Sequence, residues 1–177
     1  MKISSFCIQK FSQNGFLFLG ILLSATVMTA RSSLAQSTTV NFTGTVTTSC
    51  TLGTVTDGLL SLDSSGFVLS TAPINDGVAG SVFLTCNGGT TVEITNFSET
   101  SAPQAIASGL AIVKDPLGNE MVRASLNGTG TGTTIYPSGG GTFNNEEFTV
   151  EVTLDNSSTL IQSGTYQYAV TLNFVPQ

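Results

Sequence analysis

The chain has 177 residues, with 5 Lys and Arg against 11 Asp and Glu, no histidine, no tryptophan and a formal net charge of −6. A surface this acidic repels phosphate backbones and anionic lipid heads, which argues against nucleic-acid binding and electrostatic docking on membranes. Without histidine, only carboxylates remain for acid–base work and the usual zinc ligand sets cannot be built, so no enzyme, metal site or cofactor is expected.

At the N-terminus, Lys2 and Lys10 accompany an apolar run from Phe16 to Met28. That run is shorter than the roughly 20 residues a membrane-spanning helix needs. Ser33-Leu34-Ala35 supplies a small-x-small cleavage pattern, so residues 1–35 read as a secretory signal and 36–177 as the exported domain, with no membrane span of its own. Removal of the signal leaves Lys114 and Arg123 as the only cations, a net charge of about −9. Cys50 and Cys86 are the remaining cysteines. In an exported chain they most simply form one disulfide, whose loop stabilises by about 3 to 4 kcal/mol.

Two residues into the exported domain comes TTVNFTGTVTTSCTL (38–52), in which Val40, Phe42, Gly44 and Val46 alternate with Asn41, Thr43 and Thr45. This period of two predicts a half-buried strand over residues 38–48. Whether it pairs with its own sheet or with another subunit's is open. Residues 52–77 read as short strands around Leu60/Leu62 and Phe67/Leu69 joined by turns. Asp57, Asp63 and Asp76 are turn residues there, because no D-x-D-x-D-G calcium loop is present. Residues 80–86 predict a buried strand with Val82, Leu84 and Cys86 inward. Asn87-Gly88-Gly89 predicts a hairpin turn, and 90–97 the returning strand with Val92 and Ile94 inward.

Residues 98–108 read as a surface loop, and 110–113 with 122–126 as two strands joined by a turn. Gly128, Gly130 and Gly132 alternate with threonines and lack the lysine and helix of a phosphate cradle, so a loop or weak edge strand is expected. Asn144 to Glu147 reads as a solvated turn. The two clearest strands come last, 148–154 and 164–174, the latter with Tyr166, Tyr168, Val170, Leu172 and Phe174 on one face. No stretch of the exported domain carries helical periodicity. The fold class expected is all-β, a single antiparallel β-sandwich of immunoglobulin-like kind.

Three stretches together resemble a subunit of the chaperone–usher pilins, and most of all the spore coat protein U group, which includes the archaic pilins. They are VNFTGTVTTSCTLG (Val40–Gly53), VFLTCNGGTTVEI (Val82–Ile94) and GTYQYAVTLNF (Gly164–Phe174). The resemblance implies a sandwich that lacks its final strand, bordered by Tyr166, Tyr168, Val170, Leu172 and Phe174. A periplasmic chaperone would fill the gap first, and the N-terminal strand of a neighbouring subunit would replace it at an outer-membrane usher. Val40, Phe42, Gly44 and Val46 would then be the donor residues. The expectation is a structural subunit of a surface fibre or coat, in the periplasm in transit and then at the cell surface. The alternative is a self-contained secreted sandwich that binds a glycan or a surface protein.

Overall fold

Alternating apolar and polar residues fold here into strands, and the computed structural model, which describes residues 39–157 and 159–177, has no α-helix among them. The expected signal peptide lies outside the described residues. The chain divides into two units at Thr43/Gly44, and the second holds the ten strands found among the described residues. They are β1 (Cys50–Thr56), β2 (Ser61–Leu62), β3 (Val68–Ser70), β4 (Gly80–Cys86), β5 (Thr90–Ser101), β6 (Ser108–Lys114), β7 (Glu120–Ser125), β8 (Gly128–Thr131), β9 (Phe143–Asp155) and β10 (Gln167–Pro176).

Two antiparallel sheets form the expected sandwich. In the larger, β1, β4 and β9 lie side by side, β3 and β2 continue along the last part of β9, and β6 then β7 cover its other edge. The smaller sheet has the order β10-β5-β8. Val82, Leu84, Val113, Phe148 and Leu154 of one sheet meet Val92, Ile94 and Phe97 of the other in a buried core. Cys50 and Cys86 pair in register between β1 and β4 and are joined by the expected disulfide, with an S–S distance of 2.03 Å.

Four local expectations need correction. Val82, Leu84, Cys86, Val92 and Ile94 do point inward, but β4 and β5 belong to different sheets. Asn87-Gly88-Gly89 therefore carries the chain across the sandwich; a tight bend serves a crossover as well as a hairpin. β1 runs through residues expected to be loose, because nearly all its side chains are exposed and its Gly and Thr show no alternation. β5 extends to Ser101, into the expected loop.

Asn144 to Glu147 lies within β9 rather than in a turn. There the pairing steps from Leu84↔Glu146 to Cys86↔Phe143, which puts one extra residue on β9, and Asn145 takes φ +54. Such a bulge reverses the alternation locally, so Phe143 and Phe148, an odd number of positions apart, both face the core. A register shift in β5 between Asn96 and Ile94 does the same for Ile94 and Phe97.

Along one side the sheets close on each other. β7 turns at Asn127 into β8, and β8 then runs so near β7 that a Cβ on Gly130 would overlap the Arg123 carbonyl. At Gly132 a Cβ would sit 2.7 Å from the Met121 carbonyl oxygen. The Gly-Thr alternation thus makes the expected edge strand for a packing reason: the glycines face backbone, and Thr129 and Thr131 face solvent.

Gly130→Ala is predicted to lower stability by about 3 kcal/mol or more, read from urea unfolding, whereas Thr131→Ala changes it by less than about 0.5 kcal/mol. Reduction of the disulfide, which spans 36 residues, is predicted to cost about 3 to 4 kcal/mol in the same assay.

Candidate functional site

Away from the closed side the sandwich stays open. β1 pairs only with β4 and β10 only with β5, so among the described residues each leaves one edge of its backbone unpaired. Between these edges lies a groove of about 1040 Å³ that reaches the core. Val82, Val150 and Val152 form its floor. Leu52 and Val55, 61% and 66% exposed, form one wall. Tyr168, Val170, Leu172 and Phe174 of β10, with Tyr166 just before it, form the other.

Those five residues of the last strand do pack on the core as their alternation predicts, yet all are only half-buried. Val92, Ile94 and Phe97, in the strand beside them, are fully covered. The difference is the groove. Sequence reasoning missed Leu52 and Val55 because the register shifts between them and breaks their alternation.

Of the expected N-terminal strand over 38–48, the described part forms no strand; the first begins at Cys50. Val40, Phe42 and Val46 are 68%, 92% and 86% exposed, and nothing lies within 4 Å of the place a Cβ on Gly44 would take. A period of two specifies which side chains share a face, and pairing needs an edge as well. Among the described residues, the four expected donor residues therefore form no strand.

The groove wall carries a few polar groups. The Tyr168 hydroxyl donates to Glu99 Oε2 at 3.2 Å, and the Tyr166 hydroxyl to the Gln162 carbonyl at 3.1 Å. Burial, and then the neighbouring Glu99 carboxylate, push the Tyr168 phenol up to about 12. Tyr136 is buried elsewhere, edge-on to Phe143 and Phe148, and does not line the groove. Both cations of the domain are engaged, Lys114 with Glu151 at 2.7 Å and Arg123 with Glu120. Asp63 is a turn residue as expected, accepting from the Ser65 hydroxyl and the Gly66 amide. Among the described residues no group of three or more Cys, Asp or Glu converges on a point that could hold a metal, and no helix is long and apolar enough to cross a membrane.

Comparison of the chain with known protein families finds no matching family model, and no curated protein matches it.

The Tyr168 phenol has a folded pKa above its unfolded value of about 10, so the neutral form is favoured by folding. Its contribution is complete below about pH 10 and is lost as pH rises through about 12. Tyr168→Phe is predicted to lessen the fall of the urea midpoint across that window and to remove the corresponding step from the alkaline absorbance titration.

Proposed function

We propose that this chain is a structural subunit of a surface fibre or coat, exported and assembled by donor-strand complementation, in which the arm of one copy fills the groove of another. The observation that carries this reading is the groove itself, an apolar trough bounded by two unpaired strand edges. Unpaired N–H and C=O groups beside an exposed core are an unstable combination in water, and an added strand satisfies both at once.

The arm fits that role by composition. Residues 38–47 carry no charge, so they can enter an apolar groove without burying an ion, and their ten residues equal the length of β10. Val40, Phe42 and Val46 fall on one face, and covering each stabilises by about 1.5 to 3 kcal/mol. An arm on one copy and a groove on the next make a heterologous contact that does not close on itself, which favours a filament. Before assembly the same exposed edges call for a periplasmic chaperone and an outer-membrane usher, as the pilin resemblance implies.

Expression with the signal in a Gram-negative periplasm, with and without a cognate chaperone, tests this. Unheated samples are predicted to run in SDS as a ladder of oligomers that collapses to monomer on heating. Deletion of residues 36–47 should abolish the ladder, and Phe42→Asp should shorten it severely. A folded monomer that needs neither arm nor chaperone would instead identify a self-contained sandwich that binds a glycan or a surface protein.

A further inference from the structure

The groove runs between β1 and β10 toward Thr56–Leu60 and Gly164–Gln167, and the root of the arm lies at its other end. Cys50 opens β1 opposite Cys86, and Pro176 ends β10 opposite Thr90, so Asn87-Gly88-Gly89 joins the two at that end. A chain that reversed just before Cys50 would lay its own arm along the free edge of β1. Such a self-filled groove has a large kinetic and thermodynamic advantage, because a short tether gives an effective concentration on the order of millimolar. Assembly between copies therefore needs something that prevents the reversal.

Asn87 occupies the position to do so. Its side-chain amide donates from Nδ2 to the Thr47 carbonyl at 3.0 Å, and its Oδ1 accepts from the Ser49 amide at 2.6 Å. Its own backbone N–H donates to the Ser49 carbonyl at 3.1 Å. The disulfide follows immediately, with the two Cα atoms 4.2 Å apart. Thr48 is held from the side by Gly88, where a Cβ would come within 2.7 Å of Thr48 Cγ2. Residues 47–49 thus continue the line of β1 along 86–88. A two-residue reversal at Thr48-Ser49 would require the Thr47 carbonyl and the Ser49 amide to leave Asn87.

Resting on the subunit reading above, we infer that Asn87 is a positioning residue that directs the arm into a second copy of the chain rather than into its own groove. Asn suits the task because one side chain both donates and accepts, bridging the two backbone groups on either side of Thr48. Aspartate in its place would keep the bond to the Ser49 amide and lose the one to the Thr47 carbonyl.

The test compares the full exported chain with Asn87→Ala and Asn87→Asp at equal concentration. In Asn87→Ala the ratio of SDS-resistant oligomer to monomer is predicted to fall about tenfold, as expected for loss of two hydrogen bonds, with Asn87→Asp between it and the parent. The monomer that accumulates should be folded, and its thermal midpoint should drop when residues 36–47 are also deleted, because its own arm fills the groove. An unchanged ladder in both variants overturns the inference and leaves the subunit reading standing. Monomer whose stability does not depend on the arm also overturns it, since Asn87 would then support assembly without steering. If Asn87→Ala does not fold, Asn87→Asp carries the same two readings. A parent chain that stays monomeric overturns the subunit reading and this inference together.

Discussion

Everything in this domain depends on the unequal closure of its two sides. Where β7 turns into β8, Gly130 and Gly132 let backbone pass against backbone, and the two strands pack closely across the sheets. Where β1 faces β10, no strand of the domain joins them among the described residues, and Val82, Val150 and Val152 look out through a groove. That side presents main-chain hydrogen-bonding groups and core side chains to solvent, a combination that proteins ordinarily cover.

The remaining features stabilise a fold left open in this way. The disulfide ties edge strand β1 to β4, next to the place where the wall would otherwise fray. Bulges in β5 and β9 restore the inward orientation of Phe97, Phe143 and Phe148, so the aromatic core is complete although one side of the sandwich is not. Asn87 holds the stretch just before Cys50 in line with β1. A donor arm in trans is the reading in which the open side, the uncharged arm and this fixed root all have a purpose.

Much of this was legible in the residues. The alternations in 80–86, 148–154 and 164–174 identified strands and their inward faces, and the cysteine count identified the disulfide. Three kinds of information were hidden. Where a bulge inverts the alternation, at Asn145, the local pattern reads as a turn although the strand continues. Where a strand lies at an edge and exposes both faces, as β1 does, there is no alternation to read. Partnership is hidden for a deeper reason. Period two at Val40, Phe42, Gly44 and Val46 tells which side chains would be covered, but which edge covers them is a property of the whole sandwich and of its neighbours.

Amide hydrogen exchange along β1 and β10 reads the open side directly. In the dilute monomer both edges are predicted to exchange far faster than β4 and β9, which are paired on both sides, and addition of a peptide spanning residues 36–49 should slow β1 and β10 while leaving β4 and β9 unchanged. If β1 and β10 are as protected in the monomer as β4 and β9, and the peptide changes nothing, the sandwich is complete by itself and the groove is not a strand acceptor.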